Sequence, residues 1–175
     1  MRKEYGKVLR SVFAARMKTA AVDFPETKVK SMYFWPGDRA YCWKVDAQLH
    51  CWIVLSPSDR YEQFTVLVGW STLGRYPELG MVPSPRAPTP DRSEFEEPEY
   101  LTRLAQLWTD EDAWWVVEPF AAPESMAALQ ASIEPIPAAE ARARVTPVVE
   151  NAIAKVTEVA IPYLRERAAS VAGGP

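Results

Sequence analysis

The sequence predicts an α+β fold in which an antiparallel four- to five-stranded meander is packed by N-terminal and C-terminal helices. Strand-like apolar runs fill the stretch from Tyr33 to Trp70, which holds four of the seven tryptophans, and only short turns separate these runs. Short turns favour antiparallel neighbours, because parallel strands need crossovers of about a dozen residues or more. Apolar residues at helical spacing occupy both ends of the chain.

The length of 175 residues suits one domain, because a single core usually holds roughly 100 to 200 residues. Within it we expect a helix over 1–22, a sheet over 28–72, a proline-rich loop over 73–98 and a mainly helical part over 99–172. The longest apolar run, Cys51–Leu55, is far shorter than the roughly 20 residues that cross a membrane. We therefore expect a soluble cytoplasmic protein without a membrane partner.

The two end helices are predicted from apolar stripes. The opening helix, Lys3–Ala21, has one such stripe, which ends before Pro25. Near the other end, Thr146 and Pro147 resemble an N-cap followed by proline at the first helical position, which predicts that a new helix begins there. Pro162 should kink this helix near its end.

Four strands are expected in the first half of the chain: Lys28–Trp35, Ala40–Val45, Leu49–Leu55 and Tyr61–Thr72. Glu99–Trp108 is expected to form a short helix after the proline-rich loop. The Ala113–Glu118 segment fits either a last strand or a buried helical turn, because periodicity does not separate the two. The proline-rich loop itself is either a surface excursion or a binding loop.

Cys42 and Cys51 are interpreted as two small buried hydrophobic side chains, although adjacent strands can also place them face to face. Two thiols do not make a disulfide framework. Zinc normally needs four ligands, and one histidine with two separated cysteines falls short of that number. No metal and no cofactor are therefore expected.

Charge is distributed unevenly along the chain, whose net charge is −3. Residues 1–45 carry ten basic and four acidic side chains, so the rest of the chain is strongly acidic. This asymmetry fits an anionic partner, or else mutual neutralisation of the two halves in the folded domain. Nucleic-acid binding ranks lowest, because no phosphate loop or nucleic-acid motif accompanies the basic residues.

His50 is the first candidate for acid–base chemistry, because it is the only histidine and histidine titrates near neutrality. Strand alternation places it on one face with Trp52, whereas Cys51 points to the other face. A cysteine–histidine pair is thus geometrically poor, and we favour a structural histidine. Asp110 and Asp112 are a second candidate beside the Trp114–Trp115 pair, but acids there also complement a helix dipole.

Tryptophans on an exposed sheet face are the remaining candidate site. If two or more lie beside Arg39 and Lys44, they form a natural surface for a protein or a small ligand; if all are covered, they are core. The residues proposed for binding are Arg39, Trp43, His50, Trp52, Trp70, Asp110 and Asp112. No catalytic residue is assigned, and whether the protein is an enzyme is left open, with a non-catalytic role preferred.

Several short motifs, in their order along the chain, resemble the bacterial domain-of-unknown-function 4304 family. They are Lys28–Lys30, Phe64–Trp70, Trp114–Trp115 and Ile161–Leu164. The resemblance implies a bacterial cytoplasmic α+β domain, and small acidic proteins of this build often act as immunity proteins or other specific binders. We therefore expect a non-catalytic protein-binding module whose partner is a toxin or effector. The alternative is a small-molecule or carbohydrate-binding protein, or a hydrolase, with a pocket lined by Trp43, Trp52 and His50.

Overall fold

A computed structural model of the chain describes residues 1–79, 86–109, 113–120, 122, 124–126 and 134–172. These residues form an α+β fold with a six-stranded antiparallel sheet, which confirms the predicted fold class. The strands are β1 (Glu26–Thr27), β2 (Arg39–Lys44), β3 (His50–Pro57), β4 (Gln63–Ser71), β5 (Glu99–Arg103) and β6 (Trp115–Val116). The α-helices are α1 (Lys3–Ala20), α2 (Ala138–Lys155) and α3 (Ile161–Ala172).

The sheet is a meander in which β1 to β5 lie side by side in chain order. The two-residue strand β6 pairs with the beginning of β4, and β5 pairs with the end of β4. Helices α1, α2 and α3 cover one face, here called the helical face, where Trp70 and Tyr41 are buried in the main core. None of the described helices has both the length and the apolarity to cross a bilayer.

Two sequence-based element predictions are wrong. Only Glu26–Thr27 pairs as a first strand; the following residues, predicted as a strand to Trp35, leave the sheet because Val29 and Phe34 pack against its second face. The predicted helix Glu99–Trp108 is strand β5 followed by a 3₁₀ turn, Leu104–Leu107. In both places contacts with the sheet decide the local structure.

The predicted helix start at Thr146 is also wrong, because α2 begins at Ala138 and Pro147 lies inside it. An interior proline costs roughly 3 kcal/mol. The buried stripe of α2 runs unbroken through this position, and burial of such a stripe offsets a cost of that size; its members are Ala141, Val145, Val149, Ala152 and Ile153. Before Pro162 the helix changes to a π-helical turn, Val156–Ala160, at the place where a kink was expected.

Both cysteines are buried and free, which confirms their interpretation as small buried side chains. They do not face each other, since Cys51 belongs to the helical-face core and Cys42 to the cluster on the second face. Burial raises the pKa of Cys42 to about 11 and that of Cys51 to about 12. Both side chains are thus protonated thiols at neutral pH.

The end of the proline-rich segment is fixed to α3 through the buried side chain of Glu94. Its carboxylate accepts hydrogen bonds from the Thr89 N–H at 3.0 Å and from the Tyr163 hydroxyl at 2.7 Å. Burial raises the pKa of Glu94, but the hydrogen bonds from Thr89 and Tyr163 outweigh this effect, so the pKa is lowered. The charged carboxylate therefore holds residues 89–94 against the C-terminal helix.

Candidate functional site

A cleft of about 260 Å³ lies on the second face of the sheet. Residues 27–31 form one wall and residues 74–78 contribute the other. Lys44, His50 and Trp52 belong to the strands between these walls. The cleft therefore exists because two irregular segments cross the sheet without closing over it.

The pairing of β2 with β3 brings the strand residues of the cleft together. Lys44 is directly opposite His50, and Trp52 is two residues further along the same face. The Trp52 indole N–H donates a 3.1 Å hydrogen bond to the Arg75 carbonyl, and its ring contacts Tyr76 edge-on at a centroid distance of 5.4 Å. Trp52 thus fixes the second wall and is itself only 4% exposed.

His50 is 8% exposed, and its ring contacts that of Trp52 at a centroid distance of 6.3 Å. Burial lowers the pKa of His50, the charge of Lys44 lowers it further, and Asp46 acts in the opposite direction. The imidazole has no hydrogen bond to any residue in the described part of the chain. The ring is therefore neutral at neutral pH, and without a hydrogen-bonded neighbour among the described residues it has no second group for a proton relay.

The cleft carries uncompensated positive charge. Lys28, Lys30 and Lys44 are exposed, and none of them forms an ion pair with a residue that the structure describes. Arg75, in contrast, is paired with Glu78 and, at 3.3 Å, with Glu99. The three lysines are therefore the charges that remain available to an anionic ligand.

Two of the predicted binding residues, His50 and Trp52, line the cleft together. Trp43 and Trp70 lie on the helical face, where the ring centroids of Trp43 and Phe24 are 5.9 Å apart. The expected pocket of Trp43, Trp52 and His50 is therefore wrong for Trp43, and only Trp52 and His50 line the cleft. Arg39 is at the opposite end of β2 and pairs with Glu26 at 3.0 Å. Asp110 and Asp112 lie outside the described residues.

Sequence reasoning missed the two walls. Lys28 and Lys30 were visible as a basic lead-in, but their assignment to a strand placed them in the sheet and not above it. Arg75 and Tyr76 lie near the start of the proline-rich segment, and the sequence carries no signal for their approach to Trp52. Among the described residues, no group of three or more histidine, cysteine, aspartate or glutamate side chains is arranged to hold a metal ion.

The turn that follows the first wall is held by Asp38, a residue that is 7% exposed. One carboxylate oxygen accepts a 3.2 Å hydrogen bond from the Trp35 N–H, and this bond and the Ser56 hydroxyl both favour the charged form. Burial raises the pKa of this carboxyl from 3.8 to about 6. The charged form of Asp38 is therefore a cost to the folded state.

We expect the free energy of unfolding to fall as pH rises from about 4 to about 6, because the folded protein holds the Asp38 proton that the unfolded chain releases. Asp38→Asn should remove this part of the pH dependence and raise stability at pH 7 by about 2 kcal/mol. Urea unfolding at several pH values measures both effects. Asp59→Asn, at an exposed position, is the control; an unchanged slope in Asp38→Asn contradicts the prediction.

Comparison of the chain with protein-family models, with curated proteins and with solved structures gives no match. The resemblance to the domain-of-unknown-function 4304 family thus stays a prediction. The fold and the cleft define the chain as an α+β protein with an open basic cleft on its sheet.

Proposed function

We propose that this chain is a non-catalytic protein-binding module, of the kind to which immunity proteins belong, and that its partner docks on the cleft face. The observation that carries the proposal is the exposure of large apolar side chains on the first wall segment. Met32, which is 80% exposed, follows directly on the lining residue Ser31, and Trp35, which is 50% exposed, lies three residues further along the chain. Methionine and aromatic side chains are enriched at protein interfaces.

The second wall also carries an exposed large apolar side chain beside the cleft. Leu73, which precedes the lining residue Gly74, is 55% exposed. Basic groups lie between the apolar side chains of the two walls, and an apolar patch with polar surroundings is typical of an interaction surface. Protein partners supply both kinds of complementary group.

A small-molecule site is supported less well by this geometry. The cleft volume of about 260 Å³ is below the roughly 300 to 1,000 Å³ of typical small-ligand pockets. Trp52 is almost fully buried and its N–H is already bonded to the Arg75 carbonyl, so little of this aromatic ring is left to stack on a ligand.

Affinity capture from the cells that naturally make the protein tests the proposal. The double variant Met32→Ser, Trp35→Ala should lose the stoichiometric partner that the wild type retains, by about tenfold or more, because interface anchors of this type carry much of the binding energy. The matched control is Phe120→Ala, Met126→Ser, at two positions 76% and 79% exposed in another part of the chain. Undiminished capture by the first variant, or equal loss in both, contradicts the proposal.

A further inference from the structure

We infer that the group bound in the cleft is an acidic, extended peptide segment of the partner, with its carboxylates at Lys28, Lys30 and Lys44 beside His50. This inference rests on the proposed function and specifies the chemistry of the partner. Three observations support it separately: the unpaired charge of the three lysines, the unpaired backbone groups of residues 28–30, and the negative net charge of the whole chain, which disfavours nucleic acid as the ligand.

The charge argument concerns the three lysines. They belong to two different elements, the first wall and strand β2, and converge on one cleft without acidic partners among the described residues. The positive charge of the neighbouring Arg75, in contrast, is neutralised by ion pairs with Glu78 and Glu99. Like charges that share a cleft repel one another, and an anionic ligand relieves that repulsion.

The backbone argument concerns residues 28–30. Strand β1 ends at Thr27, and none of the N–H or C=O groups of residues 28–30 is hydrogen-bonded to another described residue. Residues 28–30 lie above the sheet, and an extended peptide beside them can pair with these free main-chain groups as it does with an exposed strand edge. A free phosphate or a small carboxylate satisfies the lysines but does not pair with this row of backbone groups.

Nucleic acid is disfavoured as the anionic ligand. The chain has a net charge of −3 and a pI near 5.3, whereas nucleic-acid-binding domains are usually strongly basic. A long polyanion that follows the three lysines meets the acidic remainder of the surface, while a short acidic segment does not. The exposed Met32 and Trp35 also match apolar residues that flank such a segment in a protein.

His50 provides a specific reporter, because it is the only histidine in the chain. The charged groups around it are Lys44 and Asp46 on the adjoining strand and turn, Lys28 and Lys30 on the first wall, and Arg75 and Glu78 on the second wall. Carboxylates delivered to this cleft favour the protonated imidazole. Binding should therefore raise the pKa of His50.

The test follows the His50 Cε1 proton by NMR while acetyl-(Glu-Thr)₃-amide is added to the full chain, up to about 5 mM to reach weak affinities. We expect a saturable shift and a rise in the His50 pKa of about half a unit or more. Lys28→Gln, Lys44→Gln should weaken binding by about tenfold or more. The control Lys7→Gln, Lys18→Gln, at exposed positions on α1, should bind as the wild type does.

The uncharged peptide acetyl-(Gln-Thr)₃-amide and the hexanucleotide of deoxythymidine separate the possible ligands. Absence of a saturable His50 shift, equal binding of the uncharged peptide, or tighter binding of the hexanucleotide overturns the inference. If partner capture still depends on Met32 and Trp35 in that case, the proposed function stands and only its acidic specificity fails. If the acidic peptide binds but no partner is captured, the proposed function fails and the cleft remains an acidic-peptide site.

Discussion

Replacement of Trp70 by alanine is expected to lower the free energy of unfolding by about 3 to 5 kcal/mol, without a direct effect on the cleft. Trp70 is fully buried, and its ring stacks on Tyr100 at a centroid distance of 4.7 Å. The Arg167 guanidinium lies 5.3 Å from the same ring, and the indole N–H donates to the Glu97 carbonyl at 3.1 Å. The variant therefore loses packing, a buried cation–π contact and a hydrogen bond together.

Urea unfolding followed by far-UV circular dichroism measures this loss. Trp35→Ala is the matched control, because Trp35 is 50% exposed and its truncation removes little buried contact. We expect this control to change stability by less than about 1 kcal/mol. A Trp70→Ala protein as stable as the control would show that Trp70 is not the centre of the core and would return it to the list of surface binding residues.

The position of Trp70 shows what strand alternation predicts reliably. In β4, every second residue points to the helical face, and the four residues there are all buried in the core: Phe64, Val66, Val68 and Trp70. The same rule placed His50 and Trp52 on one face of β3 and Cys51 on the other, as the structure shows. Side-chain direction in a strand follows directly from backbone geometry, so it needs no knowledge of distant contacts.

The misassigned segments depend on distant contacts. Val29 and Phe34 are apolar enough for a strand, but they are buried on the second face by crossing over it. Leu101, Leu104 and Leu107 have helical spacing, yet only the last two belong to a 3₁₀ turn, because Leu101 pairs with Gly69 in the sheet. Local periodicity does not contain the information that β4 has an unoccupied edge at this place.

The candidate site divides in the same way. Its sheet residues were predicted because one strand supplies both His50 and Trp52. Its walls were not, because residues 27–31 and 74–78 are far apart in sequence and are brought together only in the folded protein. The walls matter for function because their lysines and Lys44 have no acidic partners among the described residues. This depends on where the acidic side chains lie in the folded protein, and sequence spacing does not predict that arrangement.

Gly69→Ala is expected to destabilise the protein by about 3 kcal/mol, at the upper end of the usual cost of overpacking. Gly69 lies in β4 opposite Leu101 of β5. A Cβ atom at residue 69 would overlap the carbonyl oxygen of Tyr100 and lie 2.9 Å from the Leu101 Cα atom. Because these are backbone atoms, no side chain can rotate away, and β5 itself must move. Urea unfolding of the variant measures the cost.

Gly6→Ala provides the control for the same chemical change at another buried glycine. A Cβ atom at residue 6 would approach only the Arg10 guanidinium, at 3.3 Å, and this group is at the end of a flexible side chain. Because Gly6 is inside α1, alanine should raise stability there by about 0.5 to 1 kcal/mol. The two variants should therefore change the unfolding midpoint in opposite directions. Equal stability of Gly69→Ala and the wild type would mean that β5 does not lie directly against β4 at this position.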